Sequence, residues 1–263
     1  MMKYKRLVCK VGTSTLTHDN GKLNLRRVET LCKVLSDLQA AGHEVVLVTS
    51  GALGVGVGKL GLPERPHVTR ERQAVAAVGQ CELMFIYDKF FGEFNQTVAQ
   101  VLLTRDVVEN AVSHQNVINT FRTLLDMRIV PVVNENDTVS IDELEGAHYG
   151  DNDTLSAVVA QLVQADLLIL MSDVDGFYDA EPGKHPGAHK LDRVTRIDDQ
   201  LRALAGGSGS ARGTGGMITK LNAAEIAMQA HIPTVIMSGR DPHLLYDLLD
   251  GQPIGTRFEE EEP

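Results

Sequence analysis

Residues 6–14 read RLVCKVGTS, and this stretch decides the fold. Arg6–Val11 is a short run, rich in Val and Leu and apolar on both faces apart from one lysine. Gly12-Thr13-Ser14 stops it. Such a run predicts a strand of a parallel sheet covered on both sides. The same signature recurs at Val45–Val48, Val98–Leu103, Ile129–Val133, Leu167–Met171 and Thr234–Met237. Between these runs the apolar residues change period. Leu25, Val28, Leu31, Cys32, Leu35 and Leu38 recur at threes and fours. So do Val117, Ile118, Phe121, Leu124 and Leu125, with Ser113 placed as N-cap. Leu155, Val158, Val159, Leu162 and Val163 form a third stripe, and Leu221, Ala224 and Met228 begin a fourth. Strand alternating with helix predicts an α/β fold with a mostly parallel sheet. Pro131 sits inside one strand, where it removes a ladder donor. Residues 138–149 fit neither period and read as a hairpin or a lid.

In open α/β sheets, ligands sit beyond the carboxyl ends of the strands. The residues that follow the strands are Gly12-Thr13-Ser14, Thr49-Ser50-Gly51-Ala52, Asn134-Glu135-Asn136-Asp137, Ser172-Asp173 and Ser238-Gly239. Small, polar and acidic groups therefore crowd one edge of the sheet.

The composition narrows the class. The chain has 263 residues, 43% of them hydrophobic and 23% charged, which excludes a disordered or collagen-like chain. No apolar stretch approaches the ~20 residues of a membrane span, and the N-terminus lacks the apolar run of a secretory signal. Cys9, Cys32 and Cys81 are too few for a disulfide framework and fit a reducing cytoplasm. The net charge of −10 makes non-specific binding of nucleic-acid backbone a poor expectation. An anionic ligand must then be held by a few placed cations and by backbone amides.

Two lysines stand where such cations belong. Residues 206–216, GGSGSARGTGG, run into Met217-Ile218-Thr219-Lys220 at the start of a helix. Free amides at a helix N-terminus bind phosphate, and a lysine there is otherwise mildly unfavourable. Such a lysine, set in a glycine loop, is expected to pack little. Lys10 lies inside a strand that is otherwise apolar, so its ammonium must reach the strand end or a partner. The stretch GVGKLG at 56–61 matches a dinucleotide fingerprint but starts well after its strand ends, so it is set aside. There is no P-loop, no G-x-S-x-G and no zinc spacing of histidines. His185 and His189 read as surface residues, and Cys9 and Cys81 as core. NEND at 134–137 and GDND at 150–153 gather Asn and Asp. Asp151 or Asn152 alone could cap the next helix, but several such groups on one edge suit an ammonium-bearing substrate, a magnesium ion or both.

The stretches KVGTSTL (10–16), VTSGAL (48–53), PVVNENDTV (131–139), YGDNDTLSA (149–157), LLILMSDVDGFYDA (167–180) and GTGGMITK (213–220) together resemble the amino acid kinase family, in its order and over residues 3 to about 258. The resemblance implies a three-layer αβα sandwich around a mainly parallel sheet of about eight strands. Residues 1–258 would form one kinase domain: about 1–165 binding the amino acid, about 166–258 the nucleotide, and 259–263 an acidic tail. The implied reaction is ATP- and Mg2+-dependent phosphorylation of the γ-carboxylate of L-glutamate, the first step of proline biosynthesis. The alternatives are acetylglutamate kinase activity and a nucleotide sensor that has kept the fold. By the same resemblance Lys10 and Lys220 are the cations at the transferred phosphoryl group, and Asp151 orients both. Ser50, Asp137 and Asn152 are glutamate ligands, with Asn134 and Asp153 nearby. ATP is met by Lys10, Gly12, Ser172, Asp173, Thr214, Gly215, Gly216, Met217, Ile218, Thr219 and Lys220, and no residue is assigned to a metal. A cytoplasmic homo-oligomer inhibited by L-proline, with no nucleic-acid or membrane partner, is the expected setting. Many members add a C-terminal PUA domain of RNA-binding type, where this sequence stops in EEEEP.

Overall fold

The computed structural model describes residues 3–18, 22–104, 110–139, 152–180, 185, 187–206 and 216–261. Eight strands form one sheet: β1 (Arg6–Val11), β2 (Glu44–Val48), β3 (Val98–Leu103), β4 (Val130–Glu135), β5 (Leu167–Ser172), β6 (Arg193–Val194), β7 (Thr234–Ser238) and β8 (Thr256–Phe258). Their order is β3-β4-β2-β1-β5-β7-β8-β6. Every pairing is parallel except β7 with β8. The six expected strands are present, two of them with unchanged limits and the others shifted or extended by a residue or two. The two strands absent from the sequence reading, β6 and β8, have two and three residues, too few to show a period.

The helices are α1 (Thr13–Leu16), α2 (Leu25–Ala40), α3 (Ala52–Leu60), α4 (Thr69–Glu93), α5 (Ala111–Asp126), α6 (Asn152–Val163), α7 (Asp199–Ala205), α8 (Met217–Gln229) and α9 (Leu244–Leu249). They cover both faces. Leu7, Cys9 and Val11 of β1 join a core with residues of α2, α4 and α9. Val8 points the other way, into a core with α5, α6 and α8. That alternation is the period of a strand, and it puts Lys10 on the face of Val8. Burial pushes the Cys9 thiol up to about 12, the behaviour of a core residue. Cys81, expected in the core, is exposed. On α4 the neighbours Gly79, Gln80 and Leu83 turn inward, which leaves position 81 outside.

Asn110, rather than Ser113, caps α5: its Oδ1 accepts from the amides of Val112 and Ser113. Pro131 also finds its reason. The Val130 amide donates to Thr97 on the β3 side, so position 131 turns its nitrogen toward β2. The β2–β4 ladder begins only at Leu47 and Val132. The missing donor therefore falls where no ladder bond is made.

The stretch set aside at 56–61 lies largely within α3. A Cβ on Gly56 would stand 2.0 Å from the Val75 carbonyl oxygen, and one on Gly79 would stand 1.7 Å from that of Ala52. These glycines let α3 and α4 touch backbone to backbone, and that contact draws α4 up to the end of β2.

Candidate active site

Three elements meet at the carboxyl end of β1. Lys10 extends from the strand on the face that carries α6 and α8. Asp153 stands in the first turn of α6, and Lys220 in the first turn of α8. Asp153 is wholly buried, and Lys10 and Lys220 are 5% and 7% exposed. Lys10 Nζ lies 2.5 Å from Asp153 Oδ1, and Lys220 Nζ lies 3.1 Å from Asp153 Oδ2. Thr219 Oγ1 donates to the same Oδ2 at 2.8 Å. Burial alone would push the Asp153 carboxyl up. The two ammoniums outweigh it and hold the carboxyl well below the usual carboxylate range. Among the described residues, one carboxylate between two ammoniums sums to a net positive charge, in a site with little water to screen it.

Two expectations of the sequence bear on this arrangement. The carboxylate described between the two lysines is Asp153, the second residue of α6, where the sequence reading named Asp151. Asp151 itself lies outside the described residues. Lys220 stands at the start of its helix, as expected, but it is nearly buried in an ion pair where little packing was expected. Thr214 and Gly215 lie outside the described residues. Gly216, Met217, Ile218 and Thr219 open α8, whose N-cap is Gly216 with no side-chain cap bond, so its first amides stay available.

Beside Lys10 the backbone is small. A Cβ on Gly12 would stand 3.6 Å from Lys10 Nζ, over the ammonium. Gly51, with φ +99°, makes the turn from β2 into α3, a left-handed conformation that favours glycine. It brings Ser50 against β1, where Ser50 Oγ donates to the Val11 carbonyl at 3.2 Å and lies 3.3 Å from Thr13 Oγ1. Ser172 and Asp173 end β5 next door, with Ser172 Oγ donating to Asp173 Oδ1 at 3.0 Å.

Beyond the carboxyl end of β4, carboxamides lie buried beside the Asp137 carboxylate. Asn134 is the penultimate residue of β4, and its Nδ2 donates to Gln80 Oε1 at 2.8 Å. Asn134, Asp137 and Asn152 are all buried. Asn152 Oδ1 has no hydrogen-bond partner among the described residues, so this side chain does not cap α6. Gln80 is a residue that the sequence reading missed; its one signal was a carboxamide inside the apolar run AVAAVGQCEL. Val139 ends the described turn after β4, and the remainder of the segment read as a hairpin or lid lies outside the described residues. Among the described residues no group of three or more His, Cys, Asp or Glu could hold a metal ion. No helix among them is long and apolar enough to cross a membrane.

Comparison with known proteins bears on family and fold. The amino acid kinase family profile matches residues 5–238. A glutamate 5-kinase of Clostridium perfringens is 56% identical over 97% of this chain and 95% of its own length. One from Listeria monocytogenes is 56% identical over 97% and 92%, and one from Lactiplantibacillus plantarum is 49% identical over 98% and 97%. Among solved structures, a carbamate kinase from Giardia lamblia bound to AMP-PNP superposes with a TM-score of 0.67 at 19% identity, over 99% of this chain and all of its own. The Bacillus anthracis UMP kinase gives 0.63 at 15% over 98% and 97%. At these identities the structural likeness concerns the fold.

Proposed function

The chain belongs to the amino acid kinase family, and on that footing we propose how its residues divide the work. The reaction is ATP-dependent phosphorylation of the γ-carboxylate of L-glutamate to L-glutamyl 5-phosphate, the first step of proline biosynthesis. Its support is the set of relatives 49–56% identical over nearly the whole chain. The observation that carries the assignment of roles is the buried Lys10–Asp153–Lys220 bridge.

Phosphoryl transfer asks a protein to align donor and acceptor and to neutralise charge on the moving group. The glutamate γ-carboxylate, with a pKa of about 4.3, is already ionised at pH 7 and needs no general base. It attacks the γ-phosphorus of ATP in line. Lys10 and Lys220 face the charge that develops there, and Asp153 fixes both ammoniums in place before substrate arrives, which is the preorganisation that electrostatic catalysis requires. Gly12, together with Ser172, Asp173 and the start of α8 from residues 166–258, receives ATP. Ser50, Asn134, Asp137 and Asn152 receive glutamate, from residues 1–165, with Asp137 as counter-charge to the ammonium. Asp153 is engaged by two lysines and the described residues offer no carboxylate cluster, so Mg2+ is assigned to the ATP phosphates as part of the nucleotide substrate. The product is an acyl phosphate, which water would destroy, and the burial of the bridge suits its protection. We place the enzyme in the cytoplasm, as a homo-oligomer.

Release of ADP with L-glutamate, N-acetylglutamate, L-aspartate and UMP in parallel tests the reading. Turnover with glutamate alone is expected, and preference for N-acetylglutamate would overturn the role of Asp137. Proline carries the same ammonium and carboxylate on one carbon but no γ-carboxylate. It is expected to inhibit at the glutamate pocket in a way that saturating glutamate relieves; inhibition that glutamate cannot relieve would place it elsewhere.

A further inference from the structure

Gln80 comes from the middle of α4, a helix with no residue in the roles assigned above. The backbone contact of Gly79 with the first turn of α3 carries it to the ends of β2 and β4. There it is 8% exposed, and it accepts a hydrogen bond from Asn134 Nδ2 at 2.8 Å. The pair is incomplete. Asn134 Oδ1 and Gln80 Nε2 are both buried and have no hydrogen-bond partner among the described residues. Buried polar atoms are ordinarily paired, so an orphaned acceptor at a strand end of this site points to a donor brought by a ligand.

We propose that Gln80 is a positioning residue for glutamate recognition, acting through Asn134. This rests on the assignment of Asn134 to the amino-acid end of the site. A carboxamide has one donating and one accepting end of nearly equal size, and only its partners decide which end faces the ligand. Gln80 Oε1 engages the Asn134 NH2 group, which commits Asn134 Oδ1 to the substrate. An ammonium, with three donors and no acceptor, can use that oxygen and would be repelled by the NH2 end. Without Gln80, Asn134 can face the ammonium correctly only by leaving its own NH2 buried and unbonded, which is costly. In the free enzyme the same amide is able to turn and relax. The penalty therefore falls on the bound state and appears in the KM for glutamate.

The test is Gln80→Met, which keeps volume and helix propensity while removing the carboxamide. The KM for glutamate should rise about tenfold, equivalent to ~1.4 kcal/mol, with the KM for ATP within about twofold because the nucleotide end is untouched. In an Asn134→Ala background the same substitution should change the glutamate KM by less than about twofold, since the two residues act as one unit. An undiminished effect in that background would overturn the proposal. So would equal changes in both KM values, or a lowered Tm with an unchanged glutamate KM. Gln80→Ala serves if Gln80→Met does not fold, and failure of both to fold would make Gln80 a core residue and overturn the proposal as well. Failure of the underlying assignment reads differently: Asn134→Ala by itself would then leave the glutamate KM unchanged.

Discussion

At the phosphoryl end Asp153 has both oxygens engaged, by Lys10, Lys220 and Thr219. At the amino-acid end Asn134, Gln80 and Asn152 each keep a buried polar atom without a hydrogen-bond partner among the described residues. The contrast follows the chemistry of the two halves. Charge buried without a partner is far more costly than an unpaired amide. The cationic cluster must therefore complete itself within the protein, whereas the neutral carboxamides of the other end can wait for a ligand. On the proposed assignment of roles, preorganisation is built where charge develops during the reaction, and selectivity where hydrogen bonds are completed on binding.

The strongest way to break this contrast is Asp153→Asn, which leaves two nearly buried ammoniums facing a neutral amide. Breaking such a pair costs about 3–5 kcal/mol. Urea unfolding should show that loss, and turnover should fall with it; a variant as stable and active as the parent would remove Asp153 from the centre of the site. Next comes Lys220→Ala. It removes charge stabilisation in the transition state and should lower kcat by about 10²-fold or more. Lys10 still balances Asp153, so the loss of stability should be smaller than for Asp153→Asn. Near-normal turnover would confine Lys220 to structure.

At the other end, Asp137→Asn should raise the KM for glutamate by about tenfold or more, the scale of a lost charge-assisted contact, and barely alter that for ATP. Equal losses for both substrates would assign Asp137 to the phosphoryl end or to the fold. The smallest expected effect is in acid. The Asp153 carboxyl is held below its unfolded value of about 3.9, so the folded chain binds fewer protons and stability rises with pH. The contribution is complete well above pH ~4 and is lost as pH falls below it. From pH 6 to pH 3 the parent should lose more stability than Asp153→Asn does, as read from urea midpoints. Parallel losses would show that other carboxyls dominate acid unfolding.

The acidic C-terminus adds a feature that no pattern of charges announced. Glu259 pairs with Arg193 at 3.0 Å and also with Arg257, and Glu260 lies 2.6 Å from His231 Nδ1. The start of the run EEEEP thus closes onto β6, β8 and the turn after α8. Exposed pairs of this kind contribute little each, so they fasten the end of the chain without anchoring the fold.

Six strands and four helices were legible because their evidence is local. A strand covered on both faces is apolar at every position, and a half-buried helix repeats at threes and fours. The sequence alone also placed Lys10, Lys220, Ser50, Asn134 and Asp137 at strand ends or helix starts, since a polar or charged residue that interrupts an apolar run must lead somewhere. It named Asp151 between the lysines, by resemblance, where the structure describes Asp153. Two carboxylates two residues apart read alike in sequence, and it is the helix beginning at Asn152 that turns Asp153 toward β1. The sequence could not deliver α4, where Gly79 and Gln80 are buried while Val78 and Phe85 are exposed, so polarity does not track burial. Those inward positions answer to neighbours distant in the chain: Gly79 to the backbone of Ala52, and Gln80 to the amide of Asn134. Contacts of that range exist only once the layers have packed, and so the tertiary structure alone decided how the amino-acid end of the site is held.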